Sequence, residues 1–177
     1  MGSLDGKVAL VTGSSSGIGE ASAHALAAEG ANVVVNSSSS VEAGQAVASA
    51  LATDGHYIQG DISDETQCQA LVEGTIETFG RLDILVNNAG GPPPGDFRDW
   101  SQDTWMTALN ANLYTPVAMI QLVIDGMIER GFGRIVNVAS TAGQIGYPYV
   151  SAYCAAKHGV IGMTRALALE TATTGVT

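Results

Sequence analysis

In the stretch SAYCAAKHGV, residues 151–160, Tyr153 and Lys157 stand four residues apart among small and apolar neighbours. On a helix that spacing puts both side chains on one face. An ammonium beside a phenol favours the phenolate and draws the tyrosine pKa down from its reference of about 10. A tyrosine so tuned exchanges a proton near neutral pH, which is general acid–base work. Alone, such a pair is weak evidence, since most Tyr-x-x-x-Lys pairs are packing or surface residues. Its meaning depends on what else the chain brings to it.

A second stretch, TGSSSGIG at 12–19, could hold a phosphate group. It follows an apolar run and opens an alanine-rich one, so it reads as a strand–turn–helix junction. Gly13 permits the tight turn, and Gly17 and Gly19 allow close approach of backbone and ligand. Free N–H groups and the positive end of the helix dipole then face one point, which suits a pyrophosphate. The spacing is G-x-x-x-G-x-G, neither G-x-G-x-x-G nor a Walker loop. An ordinary glycine turn is the plain alternative, and the placement between strand and helix argues against it. Beside a bound dinucleotide, the Tyr–Lys pair would serve carbonyl reduction or its reverse: the nicotinamide carries the hydride and the tyrosine the proton.

The end of the second apolar run bears on the choice of dinucleotide. An acidic residue there would chelate the ribose hydroxyls of NAD, and a nearby arginine would favour the 2′-phosphate of NADP. The chain has Asn36, Ser37 and Ser38 instead, which can hydrogen-bond either group. No Lys or Arg lies between Lys7 and Arg81. This leans towards NAD.

Alternating elements must position these groups. KVALVTG, ANVVVN, HYIQGD, RLDILVNNAG and GRIVNVAS read as five strands. Helices are expected over 17–29 with Gly30 as its cap, over 41–53, over 64–79, over 101–130 and over 152–172. On the third, Leu71, Val72, Ile76 and Phe79 should share a side. Serines 37–40 read as a polar loop with a helix N-cap. GGPPPGDF reads as a rigid loop, since three consecutive prolines cannot belong to a central strand. Trp100 and Trp105 should pack the start of the long helix. Tyr147 and Tyr149 fall in a loop after Ser140, at the substrate or on the surface. Repeated βα units with short connections imply a mainly parallel sheet covered on both faces.

Composition limits the partners. Of 177 residues, 46% are hydrophobic and 14% charged, which suits a buried core and a single domain. A formal charge of −10 with seven basic residues argues against nucleic acid. Cys68 and Cys154 are too few and too scattered for a disulfide framework, which points to a reducing cytosol. No signal pattern opens the chain, and no apolar run reads as long enough to span a bilayer. His24, His56 and His158 show no metal-ligand spacing. The expectation is a soluble cytoplasmic protein with no metal and no membrane partner.

Taken together, TGSSSGIG, NNAG at 87–90, Asn112 in NANL, Ser140 in NVAS and YCAAK at 153–157 resemble the short-chain dehydrogenase/reductase family, in its order and spacing, over essentially the whole chain. The resemblance implies an α/β, Rossmann-like doubly wound parallel sheet and an NAD(P)(H)-dependent oxidoreductase. It makes Tyr153 the acid in reduction and the base in oxidation. Lys157 would tune it and hold the nicotinamide ribose, Ser140 would bind the substrate oxygen, and Asn112 would hold a water in a proton relay to Lys157. Gly13, Ser15, Ser16, Gly17, Ile18 and Gly19 would cradle the cofactor, with Asn36 and Ser37 at its ribose. Asp61 and Ile62 would lie at the adenine, and Asn88, Ala89 and Gly90 along the cleft. Asn87 would brace the central strands.

GRIVNVASTAGQIG and the segment from Ser151 are similar to those of 3-oxoacyl thioester reductases and 3-hydroxybutyrate dehydrogenases, which implies a 3-oxo/3-hydroxyacyl substrate. Family members are commonly dimers or tetramers joined through the two long helices, so a homo-oligomer is expected. The family sheet continues for two more strands, and this sequence stops at TGVT, where strand six should begin. The chain therefore reads as strands one to five of a longer reductase, with strand five as an apolar edge. A non-catalytic dinucleotide-binding protein is the rival reading, disfavoured because Ser140, Tyr153 and Lys157 are all kept. An inactive fragment is the other.

Overall fold

The computed structural model describes residues 2–91 and 94–177. Pro92 and Pro93, expected in the rigid loop, lie outside the described residues. The element order is β1 (Val8–Val11), α1 (Gly17–Ala28), β2 (Asn32–Ser37), α2 (Val41–Ser49), β3 (Gly55–Gln59), α3 (Glu65–Phe79), β4 (Ile84–Asn87), α4 (Gln102–Leu109), α5 (Thr115–Glu129), β5 (Arg134–Asn137) and α6 (Ser151–Glu170). The strands pair in parallel in the order β3-β2-β1-β4-β5.

The central strands VALV, NVVVNS and ILVN are rich in β-branched residues, which suit a pleated surface buried on both sides. Their side chains alternate between two cores. Ala9, Val11, Val33, Val35, Ile84 and Val86 meet Ala23 and Ala27 of α1 and Val47 and Ala48 of α2. Leu10, Val34 and Leu85 point the other way, onto Leu71 and Val72 of α3 and Met119, Ile120 and Val123 of α5. Helices thus cover both faces, and the fold is a Rossmann-like doubly wound parallel sheet. The strand order reverses between β1 and β4, so a crevice opens beyond the carboxyl ends of those two strands.

Several local expectations shift. The helix expected over 41–53 ends at Ser49, and Ser40 sits at its N-cap without a side-chain bond. On α3 the inner stripe is Cys68, Leu71, Val72 and Thr75. Ile76 lies one position beyond that i, i+3, i+4, i+7 row and is 44% exposed. The helix expected over 101–130 is α4 and α5 joined by a π turn, Asn110–Tyr114. Taken as one, Gln102–Glu129 is long and apolar enough to cross a bilayer by length and composition, contrary to the sequence reading. Its inner residues Met119, Ile120, Val123 and Met127 are buried in the core described above. Trp100 and Trp105 meet edge to face at 5.8 Å beside the start of α4, as expected.

Beyond β5, Val176 forms a parallel bridge with Gly133, and Ile135 N–H donates to the Thr177 carbonyl at 2.9 Å. Val136 of β5 is 49% exposed.

Candidate active site

The turn after β1 is built on backbone that needs glycine. Gly13 has φ +62°, and a Cβ there would meet Ala89 Cα at 2.9 Å. Gly19, in the first turn of α1, is buried, and a Cβ on it would meet Asn88 Nδ2 at 2.6 Å and Ser14 Cα at 2.8 Å. At Gly13 and Gly19 the turn is therefore pressed against the exit of β4 with no room for a side chain. Asn88 seals the contact: its Nδ2 donates to the carbonyls of Thr12 at 2.9 Å and Gly13 at 3.0 Å. Thr12 Oγ1 accepts from the N–H groups of Asn88 at 3.0 Å and Ala89 at 3.2 Å. Asn87 Nδ2 donates to Asn137 Oδ1 at 2.9 Å and so joins β4 to β5.

Two hollows share this junction. One, of about 290 Å³, runs from Gly13 and Ser15 across the ends of β2 and β3, where Ser37, Ser38 and Asp61 line it. The other, of about 380 Å³, runs from Gly13 and Ile18 towards Val138, Tyr153 and Lys157. Gly13, Ala89 and Gly90 border both, so the two form one cleft along the crevice. Together they reach the size usual for small-molecule sites, roughly 300–1,000 Å³.

In the first hollow Asp61 Oδ1 accepts from Ser63 N–H at 2.9 Å and Ser63 Oγ at 2.8 Å. These bonds hold its carboxyl below the usual carboxylate range. Asp61 is the only charged side chain among the described residues that line this hollow. Ser37 is buried, with its Oγ 2.9 Å from Tyr57 Oη. Asn36 borders the hollow, but its carboxamide is bonded inside the protein.

In the second hollow α6 brings Tyr153 and Lys157 to one face, with Nζ 5.6 Å from the Tyr153 ring centroid. Lys157 is buried, and Nζ donates to the Val138 carbonyl at 2.8 Å. Burial pushes its pKa below the ordinary lysine value. Ser140 caps the short turn Thr141–Gly143, its Oγ accepting from Ala142 N–H at 3.1 Å. A Cβ on Gly143 would meet the Lys157 carbonyl oxygen at 2.7 Å, so the turn after Ser140 sits directly on α6. Tyr147 Oη bonds Thr141 Oγ1 at 3.1 Å. Tyr149 has φ +64°, and its carbonyl accepts from Gly95 N–H at 2.8 Å.

Asn112 lies in the π turn, buried, and donates to the carbonyls of Ala108 at 2.9 Å and Gly91 at 3.2 Å. Its Oδ1 is buried without a partner among the described residues and lies 2.7 Å from where a Gly90 Cβ would be. A π turn widens the helix locally and is frequent at functional sites. Leu113 of the same turn packs on Gly159 of α6. The turn thus links the loop after β4 to the helix of Tyr153.

Of the residues singled out from sequence, Gly13, Ser15, Ile18, Asn36, Ser37, Asp61, Ile62, Ala89, Gly90, Tyr153, Lys157 and Asn88 line the cleft. Ser16, Gly17 and Gly19 shape the top of α1, Ser140 caps the turn after β5 and Asn112 sits in the π turn, and none of these five lines the cleft. Sequence reasoning passed over Thr12 and Val138. Thr12 belongs to the glycine motif itself, whereas Val138 contributes a backbone carbonyl and has no side-chain signal.

A family profile described as short chain dehydrogenase matches residues 7–177. Among curated proteins, the chain is 43% identical over 176 residues to D-beta-hydroxybutyrate dehydrogenase of Cupriavidus necator, covering 98% of this chain and 68% of that one. It is 40% identical over 180 residues to 3-oxoacyl-[acyl-carrier-protein] reductase of Synechocystis, covering 100% and 73%. Among solved structures, a chain from Sinorhizobium meliloti assigned to the short-chain alcohol dehydrogenases superposes with a TM-score of 0.90 at 34% identity, covering 98% and 69%.

Proposed function

The chain belongs to the short-chain dehydrogenase family of NAD(P)-dependent oxidoreductases, and from that premise we propose that it interconverts a 3-oxoacyl and a 3-hydroxyacyl compound. The observation that carries this reading is that Tyr153 and Lys157 border the same cleft as the glycine turn at Gly13. The relatives named above act, by their names, on hydroxybutyrate and on 3-oxoacyl groups.

The residues fit a dinucleotide. Gly13 and Gly19 let the turn lie tight against the exit of β4 at the edge of the cleft, and α1 begins there with its N-terminus. When bound, the nicotinamide supplies a hydride to the carbonyl carbon in reduction and takes it back in oxidation. Tyr153 gives its hydroxyl proton to the carbonyl oxygen, so that one C–H and one O–H bond form as the C=O π bond breaks. Lys157, held by Val138, keeps a positive charge beside the phenol as it loses that proton. Ser140 donates a hydrogen bond to the developing oxyanion. Asn112, in the π turn that packs on α6, would hold a water that returns a proton towards Lys157.

NAD is the favoured cofactor. The hollow over the ends of β2 and β3 carries a negative charge at Asp61 and no cation among the described residues that line it, which suits a ribose hydroxyl better than a 2′-phosphate. The apolar groove between α5 and α6, lined by Val117, Ile120, Met163 and Leu167, supports a homo-oligomer through these helices. Two free cysteines suit a cytoplasmic setting.

The test is reduction of acetoacetyl-coenzyme A by NADH and, separately, by NADPH, followed by loss of the reduced nicotinamide. Turnover with NADH favoured is expected. Binding of cofactor with no turnover of any 3-oxoacyl thioester or free 3-oxo acid would overturn the substrate class.

A further inference from the structure

Asn36 stands near the end of β2 at the rim of the cleft, yet it is only 1% exposed. Its Oδ1 accepts from Gly13 N–H at 3.3 Å. Its Nδ2 donates to the carbonyls of Ile58 at 3.2 Å and Gly60 at 3.1 Å. The backbone adds two bonds to the same turn: Asn36 N–H donates to Ser14 Oγ at 3.0 Å, and Ser14 N–H donates to the Asn36 carbonyl at 2.8 Å. Both amide hydrogens and one oxygen lone pair are thus committed within the protein. The position at the end of β2 is where a ribose-binding side chain is expected, and this one has no free donor for a ribose.

The bonds run in two directions. Gly13 and Ser14 belong to the turn after β1, and Ile58 and Gly60 to the exit of β3. These strands are not neighbours, since β2 lies between them. Only a side chain from β2 can tie both, and no shorter residue type offers an acceptor and two donors on one planar group. The β3 exit leads straight into Asp61, on the opposite wall of the hollow.

We propose that Asn36 is a positioning residue of the dinucleotide site, whose carboxamide sets the separation between the glycine turn and the wall that carries Asp61. It acts on the cofactor through those two segments and does not touch it. The inference rests on the reading of this cleft as a dinucleotide site.

The test compares the full chain with Asn36→Asp and Asn36→Ala for affinity towards NAD+, NADP+ and 2′-deoxy-NAD+, well below the melting temperature. Aspartate keeps the shape and the acceptor for Gly13 but turns an oxygen towards two carbonyls. The Kd is expected to rise about tenfold or more in both variants, by the same factor for all three ligands. If either variant does not fold, Asn36→Ser, which retains a hydroxyl acceptor for Gly13, carries the same comparison. A loss that disappears with 2′-deoxy-NAD+ would mean that Asn36 touches the ribose, and would overturn the proposal. A lowered melting temperature with unchanged Kd would leave only a structural role and would overturn it too. Failure of the unaltered chain to bind any of the three would remove the dinucleotide reading itself, and this proposal with it.

Discussion

The ammonium of Lys157 donates a 2.8 Å hydrogen bond to the carbonyl of Val138, tying α6 to the segment that carries β5 into Ser140. Because Val138 offers only its backbone, the link survives any side chain at that position. It also fixes a buried positive charge 5.6 Å from the Tyr153 ring.

That charge has a signature in stability. Burial lowers the Lys157 pKa in the folded protein below its unfolded value of about 10.4. Between the two values the unfolded chain binds more protons, so this group's contribution to stability rises with pH across that window. Below both, the full cost of burying the charge is present. The stability of the unaltered chain relative to Lys157→Met should therefore rise with pH in the window between the lowered folded value and the unfolded lysine pKa. Thermal melts of both proteins at matched pH check this. A difference that is flat or falls with pH would contradict it.

The glycine turn makes a paired prediction. At Gly17, φ is +62° and nothing lies near a Cβ, so Gly17→Ala should cost only about 1–2 kcal/mol of backbone strain. At Gly19 a Cβ would meet the backbone of Gly13 and Ser14 and the side chain of Asn88, and none of these can withdraw without opening the turn. Gly19→Ala should therefore abolish measurable NADH binding, whereas Gly17→Ala chiefly lowers the melting temperature. Calorimetric titration with NADH separates the two.

Asp83 is fully buried at the start of β4. Its carboxylate accepts from Val8 N–H at 3.1 Å and from Arg81 Nη2 at 2.8 Å, with Arg130 Nε at 3.9 Å. The arginine side chains are 37% and 33% exposed and keep solvent when the carboxylate is removed, whereas the buried Val8 N–H loses its acceptor, at a cost of about 1–3 kcal/mol. Asp83→Ala should lower the melting temperature by roughly 3–10 °C. An unchanged melting temperature would show that the Val8 N–H finds another acceptor.

How far the residues foretold this site depends on the range of the interaction. Tyr153, Lys157, Gly13 and Gly19 act through local geometry, and their types and spacing expose it. The three central strands were legible because their β-branched runs are buried on both sides, whereas the partly exposed β3 and β5 were legible from the alternation of strands with helices. The π turn at Asn110–Tyr114 was not, because one widened turn leaves the hydrophobic pattern on either side almost unchanged. Ile76 was placed inward by its type, but the stripe that begins at Cys68 passes it by. Asn36 has a polar side chain where a ligand contact is expected, and only the approach of Gly13 and Gly60, 23 and 24 residues away in sequence, shows where its hydrogen bonds go.

The most direct test of the proposed chemistry is Tyr153→Phe, measured for both turnover of a 3-oxoacyl thioester and affinity for NADH. The substitution removes one hydroxyl and keeps the ring on which Lys157 packs. Turnover is expected to fall at least about a hundredfold, as loss of a general acid requires, with the NADH Kd held within about twofold. Turnover that survives unchanged would contradict the account, because the proton would then come from another group.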